Sequence, residues 1–386
     1  MNPSEFIPFF KQQEPQILET IAEHVKEETP TDEKQRLDAF CARLADRFSA
    51  AGLETEIFQN KRRGNHLRAR FLNAEHVAQP ASPPALVLCH YDTVWPVGSL
   101  ESHPFRVDDR GWAYGPGIFD MQSSLALVEY VLRGVQSMNL RLPRPVTVLA
   151  TSDEEVGSQT SRRLIEDEAR QAAYVLVLEP PLPGGVLKTT RKGGAHYSLS
   201  ITGRAAHAGV EPEKGVSAVE ELAHQVLALH SLTDMEAGTT VNVGVVAAGT
   251  RPNVVAAHAE AFVDVRAWDA TEMERANREI LGLKPKVAGI QLEVSGGVSR
   301  PPLEKSVTGS LFEQAQDIGR KMGLDLQGGG TGGGSDGNLT GALGVPTLDG
   351  LGIPGHGAHA DHEHIEVDKI GERAGLLTAL LMALSP

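Results

Sequence analysis

Three short apolar runs, each ending in a polar cluster, decide the fold: ALVLCHYD (residues 85–92), VTVLATSDEE (146–155) and AAYVLVLEP (172–180). Each run has the length of a strand that is buried on both faces. Helical patterns at Ser123–Val135 and Gln159–Ala169 separate the three runs. Buried strands that alternate with helices predict an α/β layer built on a mostly parallel sheet.

From Gly194 the pattern changes to that of an antiparallel sheet with two helices on one face. The predicted elements follow the β-α-β-β-α-β order of the ferredoxin-like arrangement: Ala195–Thr202, Ser217–Leu232, Thr239–Ala247, Ala259–Trp268, Ala270–Leu283 and Ile290–Val294. Gly193-Gly194 and Gly296-Gly297 bound this segment, and the α/β pattern resumes after Pro301-Pro302. We therefore expect a larger domain (1–193 and 299–386) interrupted by a smaller inserted one (194–298).

Length, charge and cysteine content exclude several classes of protein. The 386 residues carry 36 Lys and Arg against 50 Asp and Glu, a net charge of −14, which argues against nucleic acid and against a membrane surface as partners. The two cysteines, Cys41 and Cys89, are too few for a disulfide framework or a cysteine-rich zinc site. No apolar run is long enough to span a bilayer, and the N-terminus lacks the basic segment of a signal peptide. We expect a cytoplasmic protein.

The predicted strand ends carry an unusual concentration of acids. In open α/β sheets, ligands bind beyond the carboxyl ends of the strands. The polar residues at these ends include His90, Asp92, Glu154, Glu155 and Glu179, with Asp120 before a helix. Acids packed this closely need a cation, and carboxylates with imidazoles suit zinc, manganese or cobalt. Each residue alone has a plainer explanation, as a turn residue or an acid at a helix N-terminus, but their coincidence indicates a metal site.

Two segments near the C-terminus bear on this site. Between Gly355 and Ile365, four histidines occur within nine residues, and we expect at least one of them to be a further metal ligand. Thirteen of the 40 glycines fall between Gly328 and Gly357. This density is typical either of a disordered linker or of a loop whose backbone approaches a ligand closely. We expect a loop of the site.

In chain order, these residues resemble the signature of a zinc peptidase family. The matching motifs are His90-x-Asp92, Gly117-x-x-Asp120, Asp153-Glu154-Glu155-x-Gly157, Glu179-Pro180 and His359-x-x-x-Glu363-x-Ile365. The family contains glutamate carboxypeptidase, aminoacylase, acetylornithine deacetylase, succinyl-diaminopimelate desuccinylase and peptidase T. Residues 203–208 (GRAAHA) and 264–266 (DVR) are most similar to the glutamate carboxypeptidase branch. The resemblance implies a zinc-exopeptidase-like catalytic domain, a mostly parallel sheet flanked by helices, with an inserted ferredoxin-like α+β domain that serves as lid and dimerisation domain.

The resemblance also implies a set of metal ligands. Two Zn²⁺ per subunit, with Co²⁺ or Mn²⁺ as substitutes, would be held by His90 and Glu179 on one side and by Glu155 and His359 on the other. Asp120 would bridge the two ions. Two metals a few ångströms apart share one hydroxide and polarise a carbonyl group.

Five further residues receive roles from the same resemblance. Glu154 would be the general base, and Asp92 would hydrogen-bond the other nitrogen of His90 and fix its tautomer. His207 would stabilise the oxyanion in the active site of the neighbouring subunit, which implies a homodimer through the inserted domain. Arg266 and Asn253 would bind the carboxylate of the substrate. The plainer alternatives are an ordinary turn histidine at His207 and an arginine at position 266 paired with a nearby acid.

These roles describe a hydrolase that cleaves an amide next to a free carboxylate. We expect a carboxypeptidase acting on a small peptide with a C-terminal glutamate-like residue, and an N-acyl-amino-acid deacylase is the alternative. Lys192 lies at the predicted hinge, either as a surface charge or as a substrate contact. A remote alternative is a serine hydrolase, because residues 333–337 (GGSDG) fit the nucleophile-elbow pattern around Ser335, and Asp349 and His359 follow in order. A family member that binds metal without catalysis is the non-enzyme alternative.

Overall fold

The computed structural model describes residues 3–72 and 82–385. By contacts, the chain divides into a larger unit, Met1–Thr190 with Lys305–Thr331 and Ser335–Pro386, and a smaller unit, Arg191–Glu304 with Gly332–Gly334. Each unit has a hydrophobic core of its own. Among the described residues, no helix combines the length and the apolar character that a membrane span requires.

The larger unit alternates helices and strands along most of its length. Its helices are α1 (Phe6–Lys11), α2 (Glu14–Lys26), α3 (Lys34–Ala50), α4 (Ser99–Ser102), α5 (Ser123–Ser137), α6 (Arg162–Gln171), α9 (Lys305–Lys321), α10 (Asp336–Ala342) and α11 (Ile370–Ala383). Its strands are β1 (Glu54–Phe58), β2 (His66–Phe71), β3 (Ala85–His90), β4 (Arg106–Val107), β5 (Trp112–Tyr114), β6 (Val146–Thr151), β7 (Tyr174–Val177), β8 (Leu187–Arg191), β13 (Gly328–Thr331), β14 (Thr347–Leu348), β15 (Gly355–His356) and β16 (His364–Glu366).

A six-stranded sheet forms the centre of the larger unit, in the order β1-β2-β6-β3-β7-β14. The four strands from β6 to β14 run parallel, and β2 and β1 are added antiparallel at one edge. Every residue of β3, β6 and β7 is buried, which explains why these strands read as continuous apolar runs rather than alternating ones. The predicted fold class is confirmed.

Helix α5 shows how the core of this unit is stabilised. Eleven of its fifteen residues are buried, and it packs against α2 and α11. Leu125, Val128, Val131 and Leu132 are fully buried in the main hydrophobic cluster. Burying each such side chain contributes roughly 1.5–3 kcal/mol, so the helix that begins just after Asp120 is firmly held.

A second sheet of the larger unit consists of strands only two or three residues long. Its order is β15-β16-β5-β4, and His364 of β16 pairs with Tyr114 of β5. The His364 imidazole stacks on the Trp112 indole, with ring centroids 4.2 Å apart. This small sheet joins the C-terminal histidine segment to the segment that precedes Asp120.

The smaller unit is an antiparallel sheet with two helices. Its elements are β9 (Gly193–Thr202), α7 (Ala218–His230), β10 (Thr240–Ala248), β11 (His258–Ala267), α8 (Ala270–Leu281) and β12 (Gln291–Arg300). The strand order is β10-β11-β9-β12 and all pairs are antiparallel. This is the ferredoxin-like arrangement that the element order predicts. The two ends of the unit are joined, because Arg191 and Leu303 exchange backbone hydrogen bonds of 3.0 Å in both directions.

The end of the smaller unit differs from the sequence-based expectation. Gly296 and Gly297 lie inside β12, which continues to Arg300, rather than at a domain boundary. At Gly296, φ is +118°, and a Cβ there would lie 2.1 Å from the carbonyl oxygen of His196. Glycine is required here because the neighbouring backbone approaches too closely for a side chain, which a sequence pattern cannot distinguish from a chain break.

Candidate metal centre

The carboxyl ends of three neighbouring strands bring the acidic residues together. His90 is the last residue of β3 and pairs in register with Thr151, the last residue of β6. Glu154 and Glu155 follow β6 in a single helical turn, and Glu179 follows β7 by two residues. Because β3 lies between β6 and β7, parallel to both, all these side chains emerge at the same edge of the sheet.

Asp120 lies between two imidazoles. Its Oδ1 is 3.1 Å from Nε2 of His90, and its Oδ2 is 3.4 Å from Nε2 of His359. Nε2 of His90 is also 3.5 Å from Glu179, and Nε2 of His359 is 3.2 Å from Glu155. The five residues thus form two groups, His90 with Glu179 and His359 with Glu155, and Asp120 contacts a member of each.

Ligand atoms in this cluster lie close enough to share a cation. Those of His90, Asp120 and Glu155 lie within 4.8 Å of one another, and so do those of His90, Glu154 and Glu179. The side chains of Glu155 and Glu179 are nearly buried, whereas that of His359 is 47% exposed. The cluster therefore opens to solvent on the His359 side.

The electrostatics of the cluster favour added positive charge. Burial opposes the charged form of His90, yet Asp120, Asp92 and Glu179 raise its pKa well above the ordinary value. Hydrogen bonds to Asp120 and Glu155 raise the pKa of His359 to about 10. Burial raises the pKa of Glu155 to about 7, although His359 opposes the shift. Both imidazoles bind protons tightly because the carboxylates around them attract cations.

The donor set fits a pair of divalent ions. Imidazole nitrogens and carboxylate oxygens are the ligands that zinc, cobalt and manganese accept. Buried acids beside protonated imidazoles are costly, and divalent cations would satisfy them while releasing the protons. The residues that the sequence analysis named as ligands are thus gathered in one place.

The carboxylate of Asp92 faces His90 at a longer distance than a direct hydrogen bond. Nδ1 of His90 is 3.0 Å from the backbone carbonyl oxygen of Asp92, whereas the nearer carboxylate oxygen is 3.6 Å away. The carbonyl fixes the tautomer of His90. The Asp92 carboxylate is fully buried and also accepts from the backbone amides of Glu154, at 3.1 Å, and Glu155, at 3.2 Å. The hydroxyl of Thr31 also donates to it.

A second buried acid that sequence reasoning missed is Asp153. Its carboxylate accepts from the amide and hydroxyl of Thr160 and from the hydroxyl of Ser161. These contacts close the turn that carries Glu154 and Glu155. The only signal in the sequence is the Ser and Thr that follow within eight residues, a pattern typical of capped turns.

Ser335 is not arranged as a nucleophile. Its hydroxyl donates to the buried carboxylate of Asp349 at 2.6 Å and accepts from the Gly337 amide, so it caps the N-terminus of α10. Nε2 of His359 faces Asp120 and Glu155 instead. The serine triad that the chain order allowed is therefore not assembled.

The glycine-rich segment is ordered rather than a linker. Gly328–Thr331 forms β13, paired with β8. Gly333 and Gly334 each accept a hydrogen bond of 3.1 Å from the guanidinium of Arg191.

Lys192, at the predicted hinge, contacts an aromatic ring. Its ammonium lies 5.2 Å from the centroid of the Trp268 ring, which is a cation–π contact.

The remaining predicted residues lie in the smaller unit. His207 and Asn253 are exposed and adjacent, because the Ala208 amide donates to the Asn253 carbonyl. Arg266 forms a two-pronged ion pair with Asp264, with distances of 3.0 and 2.9 Å. This pair is the plainer alternative that the sequence left open for Arg266.

Comparison with known proteins gives a consistent result. The model of the family described as Peptidase family M20/M25/M40 matches residues 86–383. Carboxypeptidase G2 of Pseudomonas sp. (strain RS-16) is 34% identical over 314 residues, covering 78% of this chain and 73% of the relative. Succinyl-diaminopimelate desuccinylase of Thioalkalivibrio sulfidiphilus (strain HL-EbGR7) is 25% identical over 367 residues, covering 90% and 94%. The crystal structure of aminopeptidase PepT from Bacillus cereus ATCC 10987 shares the fold, with a TM-score of 0.76, 23% identity and coverage of 96% and 98%.

Proposed function

The chain belongs to peptidase family M20/M25/M40, and from this membership we propose that it is a dinuclear metal carboxypeptidase acting on small peptides. The observation that carries the proposal is the position of Asp120, whose two carboxylate oxygens face the imidazoles of His90 and His359 separately. A carboxylate placed in this way can serve two cations at once. One ion would be held by His90 and Glu179, the other by Glu155 and His359.

Zinc is the metal we propose, with cobalt or manganese as substitutes. When bound, the two ions supply Lewis acidity toward the carbonyl oxygen of the scissile amide and lower the pKa of a water molecule. Asp120 keeps the two sets of ligands at a fixed separation. His90 and His359 must be neutral to bind metal, so their protons leave when the ions enter.

Glu154 is the proposed general base. Its carboxylate belongs to the cluster with His90 and Glu179, while its backbone amide is held by Asp92. It takes a proton from water and returns it to the nitrogen of the leaving amine. Because its proposed role is proton transfer, Glu154→Gln should leave metal binding intact and slow the reaction.

His207 is the proposed oxyanion donor, supplied by the neighbouring subunit. The Gly209 amide donates to Nδ1 of His207 at 3.1 Å. A neutral His207 that accepts at Nδ1 carries its proton on Nε2. The exposed Nε2–H is then oriented to donate to a developing oxyanion, which supports this role.

Arg266 and Asn253 are the proposed contacts for the free carboxylate of the substrate. Asp264 engages Nε and Nη2 of Arg266, so the guanidinium plane is fixed in advance. The remaining N–H groups of this planar fork can donate to a carboxylate. Recognition of this group is what restricts the enzyme to an amide at the C-terminal end.

The choice of substrate rests on the relatives. The 34% identity to carboxypeptidase G2 favours a carboxypeptidase with a glutamate-like C-terminal residue. The likeness to succinyl-diaminopimelate desuccinylase favours the second candidate, an N-acyl-amino-acid deacylase, whose chemistry at the metals is the same. A hydrolysis panel with Zn²⁺, Co²⁺ or Mn²⁺ separates the two. Release of C-terminal glutamate from dipeptides is expected, whereas turnover of N-acetylornithine or N-succinyl-diaminopimelate alone would favour the deacylase.

We also propose a homodimer formed through the smaller unit. Strand β10 is at the edge of its sheet and exposes Val245 and Val246, while α7 exposes Leu227 at 72%. An open strand edge beside exposed apolar side chains is typical of a surface that pairs with another chain. Light scattering should give twice the monomer mass of 41.3 kDa. Val245→Lys should dissociate the dimer, and a fully active monomer would contradict the role of His207.

We also propose that the protein is cytoplasmic. Cys41 and Cys89 are both free and buried, as expected for a protein of a reducing compartment. Fractionation of cells that express the full chain would test this location directly.

A further inference from the structure

Glu363 is a buried acid surrounded by hydrogen-bond donors. It is only 3% exposed. Its Oε1 accepts from the backbone amides of Phe119, at 2.9 Å, and Asp120, at 3.0 Å. Its Oε2 accepts from the amide of Gly117, at 3.2 Å, and from the indole N–H of Trp95, at 2.7 Å. One carboxylate thus satisfies four donors, three of them in the segment that ends at Asp120.

These four contacts specify a carboxylate rather than another polar group. All the partners of Glu363 donate, so each of its oxygens must accept two hydrogen bonds. An ionised carboxylate has about four acceptor sites and no donor. A glutamine of the same size would turn an NH₂ group toward N–H groups at one of these positions, and buried donors without acceptors are costly.

The segment that Glu363 holds has an irregular backbone. It is part of the connection between β5 and α5 (residues 115–122), with φ of +69° at Gly117. Asp120, with φ of −118° and ψ of 91°, and Met121, with φ of −136° and ψ of 42°, both depart from helical geometry. Its amide and its carboxylate diverge from one Cα atom, so fixing the amide also limits where the carboxylate can lie. That carboxylate is the group between His90 and His359.

Glu363 itself stands on a firm support. It directly precedes β16, whose His364 pairs with Tyr114 of β5 and stacks on Trp112. It also follows His359 by four residues in the same segment. One side chain therefore connects the segment that carries His359 to the segment that carries Asp120.

We propose that Glu363 is a positioning residue, whose buried carboxylate holds the Gly117–Asp120 backbone so that Asp120 presents one oxygen to each half of the metal centre. The inference rests on the proposed metal-dependent function and deepens it. Glu363 holds the backbone amide of a proposed ligand, Asp120. Replacing a residue that positions a metal ligand typically lowers metal affinity by about 10- to 100-fold.

The chain offers a matched control in the smaller unit. Glu221 is also fully buried, and its carboxylate also accepts from backbone amides, those of Lys286 and Val287. Glu221→Gln removes the same kind of contact without touching the metal centre. Comparing it with Glu363→Gln separates loss of positioning from loss of a buried hydrogen-bonded acid in general.

The experiment measures zinc affinity and the cobalt spectrum of full-length wild type and both variants. Metal-free protein is titrated with Zn²⁺ against a competing chelator, and the visible absorption of the Co²⁺ form reports the ligand geometry. Glu363→Gln is expected to weaken Zn²⁺ binding by about 10- to 100-fold and to change the Co²⁺ spectrum. Glu221→Gln is expected to lower the unfolding temperature while leaving both readouts unchanged.

Each outcome decides the inference. Glu363→Gln that binds Zn²⁺ as tightly as the wild type, or Glu221→Gln that weakens binding equally, overturns the positioning role and leaves the proposed function standing. A wild type that binds no metal overturns both. If Glu363→Gln does not fold, Glu363→Asp decides: it keeps the charge on a shorter side chain, and unchanged affinity and spectrum in that variant overturn the role.

Discussion

Two groups of carboxylates in the chain are neutralised in different ways. In the smaller unit, Asp264 pairs with the guanidinium of Arg266, and Glu272 pairs with Arg275. The larger unit contains a strand-end cluster, formed by His90, Asp120, Glu154, Glu155, Glu179 and His359. There Asp120 contacts the imidazoles of His90 and His359 instead. An arginine stays charged and neutralises its acid permanently, whereas an imidazole loses its proton on becoming a metal ligand. Acids paired with histidine therefore keep their charge available for a dication.

Removing the metal should disrupt the strand-end cluster and leave the smaller unit unchanged. We expect dialysis against a chelator to abolish hydrolysis, and Zn²⁺, Co²⁺ or Mn²⁺ to restore it. Unfolding should also become easier, by about 3 kcal/mol relative to protein with metal at roughly 100 times its Kd. Activity that survives stripping but is lost in Ser335→Ala would instead favour the serine hydrolase.

Glu154 and Glu155 are adjacent in sequence, but replacing each of them should have a different effect on the enzyme. Glu154→Gln is expected to lower kcat by about 10²- to 10⁴-fold with metal content unchanged, because only proton transfer is lost. Glu155→Gln should lower the metal content itself, since that carboxylate contacts His359. Metal analysis alongside steady-state kinetics checks both. Equal kcat for Glu154→Gln and wild type would contradict its role as general base.

The arginine pairs of the smaller unit allow a matched test of substrate binding. Arg266→Ala should raise KM for a substrate with a free C-terminal carboxylate by about 10- to 100-fold, the value of a charge-assisted hydrogen bond or two. Arg275→Ala removes a similar half-buried partner of an acid and should leave KM unchanged. If both variants raise KM equally, Arg266 acts through the stability of the unit rather than through the substrate.

His24, also in the larger unit, differs from His90 and His359 because it is buried in the neutral form. Burial, with repulsion from Arg47, lowers the pKa of His24 to about 4. The unfolded chain, with the ordinary value near 6.5, binds the proton more readily, so stability is complete above that pH and falls as the pH drops toward 4. From about pH 7.5 to pH 5.5 this single group should cost about 1 kcal/mol of folding free energy.

The measurement for His24 is denaturant unfolding of metal-free protein at both pH values. His24→Gln should lose this part of the pH dependence. His356→Gln, at an exposed position of the same unit, should retain it. A wild type and a His24→Gln variant with the same pH dependence would contradict the assignment.

Much of the fold was predictable because the decisive strands are buried on both faces. Because both faces of β3, β6 and β7 are buried, these strands appear in the sequence as continuous apolar runs. The acids follow directly at their ends. Residues of the strand-end cluster could therefore be named before their geometry was known. β5, β15 and β16 have two or three residues each, too few to leave a pattern.

Contacts between distant residues were the part that the sequence could not predict. The Asp92 carboxylate bonds to amides 62 and 63 residues away, and that of Glu363 to amides more than 240 residues away. No local pattern specifies which backbone groups a buried acid will meet. The motif containing Glu363 could be recognised in the sequence. The contacts of Glu363, however, depend on the small sheet that joins the C-terminal histidine segment to the segment preceding Asp120.

The hydrogen bonds between Arg191 and Leu303 have a consequence for how such a chain could arise. Joining the ends of a long flexible loop costs entropy that grows with its length. Here the inserted segment begins and ends near one pair of hydrogen-bonded residues, so its two ends lie close together however long the segment is. A gene can gain or exchange a whole domain at such a point, because the host fold needs no rearrangement.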